Sequence, residues 1–130
     1  MDEFQKEIQA LSEQIDQAPD IIVGVVRGGL IPARLLASRL KVKDMYCLTV
    51  RKVGEERKVL SDIFENISGK NILLVEDMLE TGKSLIVAKK YLEDKGAVVK
   101  TACLYIMPQS EIKPNYFLKQ IDEVEKFPWE

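Results

Sequence analysis

Residues 72–75, Ile-Leu-Leu-Val, form an aliphatic run with no polar residue to alternate against, and no other stretch constrains the fold as much. A strand with one wet face alternates apolar and polar residues. A strand that is apolar throughout must be covered on both faces, as in a parallel sheet lined by helices. Residues 21–26 repeat the pattern, and each run leads through a glycine-containing turn into a stretch of helical character. Strands alternating with helices in this way predict an α/β fold, a mostly parallel sheet flanked by helices.

The remaining elements follow from spacing. Phe4, Ile8, Leu11 and Ile15 recur at four, three and four residues, one apolar stripe on a covering helix that ends before Pro19. A helix is predicted over 30–40, with Pro32 tolerated in its first turn, followed by a strand over 45–50. Residues 51–58 are polar, contain Gly54 and lack a regular apolar period, so they read as a mobile loop, with Arg51, Lys52 and Arg57 as solvated charges. Val59 and Leu60 begin a short strand, and residues 68–71 form a turn. Leu85, Ala88, Tyr91 and Leu92 mark the inner face of a helix that stops at Gly96, ahead of a strand over 98–106. From Met107 onward prolines and aromatic residues replace any long period, and Trp129 reads as a packing anchor for the tail.

Composition narrows the function classes. A chain of 130 residues fits one domain, 1–130, and is long enough to bury a single core. No apolar run reaches membrane-spanning length, and the charged first nine residues do not resemble a signal peptide. A net charge of −2 gives no general pull toward nucleic acid. Cys47 and Cys103 lie in separate apolar stretches and read as buried thiols of a cytoplasmic protein. The absence of histidine rules out Ser-His-Asp and Cys-His machinery, so any metal is expected to be a hard cation on oxygen ligands.

The chemistry-bearing residues follow the buried strands. Glu76 and Asp77 fall at the carboxyl end of the 72–75 strand, where open α/β sheets hold their ligands. Thr81, Gly82, Lys83 and Ser84 open the next helix, whose first N–H groups suit a phosphate. Gly82-Lys83-Ser84 invites comparison with a P-loop, but the glycine required five positions earlier is Asp77, which sets that reading aside. Arg27-Gly28-Gly29, after the first strand, lacks the glycine spacing of a dinucleotide fingerprint.

Taken together, VEDMLETGKS (75–84) and VVRGGLIPARLLA (25–37) resemble the two signatures of the type I phosphoribosyltransferases, the phosphoribosyl pyrophosphate (PRPP) motif and the pyrophosphate loop. The resemblance implies that fold, with a core over about 20–106 and a small C-terminal hood over about 107–130 joined by the N-terminal helix. It implies that Glu76 and Asp77 bind the ribose hydroxyls of PRPP, directly or through Mg²⁺. Thr81, Gly82, Lys83 and Ser84 would hold the 5′-phosphate, while Arg27, Gly28 and Gly29 would take the pyrophosphate, with a cis peptide at Val26-Arg27. Residues 51–58 match the family's mobile loop. Glu80 stands where purine enzymes of the family carry an aspartate that accepts a proton from the base, and Arg27 would stabilise the leaving charge. The implied reaction transfers phosphoribose from PRPP to a nucleobase in the cytoplasm, in a family whose members commonly form homodimers.

The Phe127-Pro128-Trp129-Glu130 ending resembles that of small xanthine-guanine type enzymes, which implies a purine acceptor of the xanthine, guanine or hypoxanthine class. Two base-contacting positions differ: Met107 stands in place of a lysine, and Val124 in place of an aromatic ring. Glu130 reads either as a neighbour of the metal or as a frayed terminus. Two alternatives stay open: a regulatory protein that binds PRPP or nucleotides without transfer, and an enzyme with a non-purine acceptor.

Overall fold

The computed structural model describes residues 2–63 and 65–129; Glu130 lies outside them. Helix α1 (Glu3–Glu13) opens the chain, its N-cap Asp2 accepting a hydrogen bond from the Gln5 amide at 2.8 Å. Strand β1 (Ile21–Val26) leads into α2 (Leu30–Leu40), and β2 (Asp44–Val53) and β3 (Glu56–Val59) follow. Next come β4 (Asn71–Val75), β5 (Met78–Leu79), α3 (Lys83–Asp94), β6 (Val98–Ala102), β7 (Tyr105–Ile106) and β8 (Lys119–Gln120).

The main sheet has the order β3-β2-β1-β4-β6, with β1 parallel to both β2 and β4 and β4 parallel to β6. Its side chains divide by parity. Ile21, Val23, Val25, Ile72 and Leu74 pack with Leu85, Ala88 and Leu92 of α3. Ile22, Leu73 and Val75 pack on the other side, with Ile8 and Leu11 of α1 and Ala33 and Leu36 of α2. Both faces of β1 and β4 are therefore covered, as their aliphatic sequences require. Each large side chain so buried contributes about 1.5–3 kcal/mol.

Two expectations change. Residues 51–58 are not an irregular loop, because β2 and β3 form an antiparallel hairpin pairing Arg51 with Lys58 and Lys52 with Arg57 around Gly54 at φ 64°. Most of this hairpin is exposed, so its ladder rests on backbone hydrogen bonds and carries no apolar period in the sequence. The strand expected over 98–106 breaks after Ala102. There the chain leaves β4, and the amides of Leu104 and Tyr105 donate to the Asp77 carbonyl at 3.0 and 3.3 Å. Strand β7 then pairs with β5 and β8 in a second, parallel three-stranded sheet.

Candidate functional site

Strands β1 and β4 are neighbours, yet the helices that follow them cover opposite faces of the sheet. A crevice opens at such a switch point, beyond the carboxyl ends of the two strands. The loop after β1 and the loop after β4 form its walls, and they touch. A Cβ on Gly28 would lie 2.6 Å from both carboxylate oxygens of Asp77, and one on Gly29 would overlap the carbonyl oxygen of Val75. The Gly-Gly pair thus lets the first loop lie directly against the acidic end of β4. The Val26-Arg27 peptide is cis, matching the expectation.

Asp77 is buried, 6% exposed. Its Oδ1 accepts from the Met78 amide at 2.7 Å and its Oδ2 from the indole Nε1 of Trp129 at 3.1 Å. Glu76 is part-buried and extends the parallel ladder by donating its amide to Ala102 at 3.0 Å. Burial, with the adjacent Asp77 charge, holds the Glu76 carboxyl well above the ordinary 4.5. The same environment, dominated by burial, pushes the Cys103 thiol up, which leaves it an inert core group as expected.

The raised Glu76 makes a testable statement about stability. The native state holds this proton more tightly than the unfolded chain, so stability falls as pH rises from about 4.5 through the folded-state value. Glu76→Gln removes that penalty. The variant is expected to melt above the wild type at pH 8, and the gap should close as pH drops toward 4.5. Thermal melts across that range measure it, and a gap independent of pH would contradict the buried ionisation.

At the far end of the second loop, Gly82 takes φ 79° as the N-cap of α3, a left-handed conformation suited to glycine. Ser110 and Ile112 pack against it, each 2.7 Å from where a Cβ would stand. The Glu111 amide donates to the Thr81 carbonyl at 2.8 Å, and Lys83 pairs with Glu111 at 3.9 Å. Thr81 and Ser84 are partly exposed at the positive end of the helix. Glu80, just before them, is exposed.

A cavity of about 560 Å³ joins the loop after β1 to the hairpin root and is lined by Arg27, Gly28, Val50, Arg51, Lys52 and Trp129, together with Val26. Two residues read as solvated charges, Arg51 and Lys52, therefore share a cavity wall with Arg27. Their signal lay in strand pairing rather than in local sequence. Met107 is buried, its amide bonded to the Leu79 carbonyl at 2.9 Å, and Val124 is 57% exposed; neither lines this cavity. Trp129 lines it, a placement that its position in a polar tail did not indicate.

A family model described as a phosphoribosyl transferase domain matches residues 1–130. The chain belongs to the phosphoribosyltransferase family. It is 32% identical over 121 residues to a hypoxanthine-guanine phosphoribosyltransferase of Lactococcus lactis, a match covering 83% of this chain and 64% of that protein. It is 25% identical over 116 residues to a xanthine-guanine phosphoribosyltransferase of Idiomarina loihiensis, covering 84% of this chain and 70% of the relative. The crystal structure of a purine phosphoribosyltransferase from Pyrococcus horikoshii superimposes with a TM-score of 0.90 at 33% identity, covering 100% of this chain and 91% of that one. The fold is that of the type I phosphoribosyltransferases. Among the described residues, no helix is long and apolar enough to cross a membrane.

Proposed function

We propose that this phosphoribosyltransferase moves the phosphoribosyl group of PRPP onto a purine base of the hypoxanthine, guanine or xanthine class and releases pyrophosphate. The observation that carries this reading is the contact of the Asp77 carboxylate with the Gly28 backbone at the β1/β4 crossing. The contact supports reading the two loops as a diol acceptor and an anion-binding turn that share one crevice. The names of the three relatives supply the purine. We read residues 1–130 as one domain, with the core over about 20–106 holding the donor and the hood over the acceptor, and we take the working form to be a cytoplasmic homodimer.

In this mechanism Glu76 and Asp77 accept hydrogen bonds from the ribose hydroxyls, and the amides of Thr81, Gly82, Lys83 and Ser84 hold the 5′-phosphate at the α3 N-terminus. Arg27, with the amides of Gly28 and Gly29, binds the pyrophosphate, and Arg51 and Lys52 add positive charge to the same cavity. The bond from the anomeric carbon to the pyrophosphate oxygen breaks with its electron pair leaving on oxygen, and Arg27 stabilises that charge as it develops. A base nitrogen forms the new bond to the anomeric carbon, and Glu80 takes the displaced proton. The hairpin closes over the site and excludes water from the electron-poor sugar.

Among the described residues no three His, Cys, Asp or Glu side chains converge as a self-sufficient metal site. Mg²⁺ commonly uses only one or two carboxylates beside water and substrate oxygens, so Glu76 and Asp77 fit it, and a cation would favour the ionised Glu76 that burial, and after it the Asp77 charge, disfavours. When bound there, Mg²⁺ would neutralise part of the donor's charge.

Incubation with PRPP, Mg²⁺ and a panel of bases is expected to release pyrophosphate with hypoxanthine, guanine or xanthine. PRPP at about 100 times its Kd should also stabilise the fold by about 2.7 kcal/mol. Release with none of these purines sinks the purine reading. The buried Met107 and exposed Val124 favour a second reading, a protein that binds PRPP or nucleotides without transfer. Stabilisation without turnover would select it.

A further inference from the structure

The single tryptophan of the chain is tied to the buried carboxylate at the centre of the site. Its Nε1 donates to Asp77 Oδ2 at 3.1 Å, while Oδ1 is engaged by the Met78 amide at 2.7 Å, so each carboxylate oxygen has a donor that fixes its direction. The Asp77 backbone is held from the same side by the Leu104 and Tyr105 amides.

The indole itself is held in a line of rings. Trp129 stacks on Phe127 with centroids 4.6 Å apart and 12° between planes, and Phe127 stacks on Tyr105 at 5.3 Å and 23°. From α1, Phe4 packs on Trp129 at 4.3 Å, and Glu7 accepts the Tyr105 hydroxyl with both carboxylate oxygens at 2.6 Å. Lys119 of β8 lies over the other end of the line, 4.7 Å from the Tyr105 centroid. Helix α1, β7, β8 and the tail thus converge on one indole N–H. An indole N–H only donates, so it neither supplies the reaction with a base nor competes with one. What it can do is hold an ionised carboxylate in one orientation through a charge-assisted bond.

We propose that Trp129 is the positioning residue of Asp77, fixing its carboxylate for the donor's ribose, and that α1 and the tail set donor affinity through it. The consequence for the donor rests on the function proposed above; the contact itself does not. A ring stacked on Phe127 and packed by the tilted ring of Phe4 is built to stay, which favours positioning over a tail that must leave when the donor enters.

Trp129→Phe keeps an aromatic ring for the stack and removes the N–H along with the smaller ring of the indole. Loss of a hydrogen bond to a charged group predicts a rise in KM for PRPP of about 10–100-fold, with kcat changed less than about 3-fold. A melting temperature near that of the wild type would separate this from a packing defect. In the wild type, the one indole N–H resonance expected in a ¹⁵N-labelled sample should shift on Asp77→Asn and on addition of PRPP with Mg²⁺. That measurement stands even where Trp129→Phe folds poorly.

An indole resonance indifferent to Asp77→Asn overturns the contact. Unchanged or lower KM in Trp129→Phe overturns the positioning role, the lower value meaning that the indole competes with the ribose. A wild type that binds PRPP normally beside a Trp129→Phe variant that binds it equally well sinks this inference alone. A wild type that does not bind PRPP at all sinks the donor reading and this inference with it.

Discussion

Gly29→Ala is expected to cost more than about 3 kcal/mol of folding stability and to abolish PRPP binding in whatever native protein remains. A methyl group there would overlap the Val75 carbonyl oxygen and lie 2.8 Å from both the amide nitrogen and the carbonyl oxygen of Val25. All three atoms belong to the backbone of the two central strands, so none can turn aside as a side chain could. Gly29 is also committed by its own backbone, donating to the Val25 carbonyl at 2.8 Å and accepting from the Ala33 amide at 2.9 Å. The loop must lift, and with it the start of α2. Urea denaturation measures the loss, and a midpoint equal to that of the wild type would contradict the close approach. Gly28→Ala provides the contrast, since the three atoms nearest its methyl group all belong to the Asp77 side chain, and it should disturb the site more than the fold.

Asp77→Asn is expected to lower kcat/KM for PRPP by about 10²–10³-fold, the scale on which loss of one preorganised electrostatic group in a site is felt. The size of the side chain is kept, and the effect on stability has two opposing parts. The amide can still accept at one atom but leaves the Met78 or Trp129 donor poorly matched, a cost of about 1–3 kcal/mol for a buried group. Against it stands the removal of the Asp77 charge, which after burial is the second cause that raises Glu76. Catalysis should therefore collapse while the melting temperature moves much less. Pyrophosphate release and thermal melts on the same sample report both, and activity within 3-fold of the wild type would refute the role given to Asp77.

How much of this was legible beforehand depended on where each residue finds its partners. The strand over 72–75, the helix over 30–40 and the acidic pair at a strand end are local patterns, and the structure has them at those positions. The β2–β3 hairpin was missed because it is exposed, so that no apolar alternation marks strands made mainly of Arg, Lys and Glu. The end of β6 leaves no mark in the sequence because Cys103 and Leu104 are apolar whether or not the strand continues; only the transfer of hydrogen bonds from β4 to Asp77 and Tyr116 ends it. Within the site, Glu76, Asp77 and the Arg27-Gly28-Gly29 turn announce themselves by motif. Arg51, Lys52 and Trp129 do not, because they come to the cavity from elements 24 to 102 residues away from Arg27. The Trp129–Asp77 contact spans 52 residues of sequence and leaves no trace in either segment alone.

The direct pairing of β1 with β4 makes the sheet a ruler for the site. The strands that lead into the two loops lie one inter-strand step apart, about 4.8 Å, a spacing fixed by backbone hydrogen bonds and indifferent to the side chains of either loop. The second sheet, β5-β7-β8, shares no strand with that gauge. Substitutions in the second sheet can therefore accumulate without altering that spacing, so the separation of the two loop roots is held by the backbone of the main sheet alone.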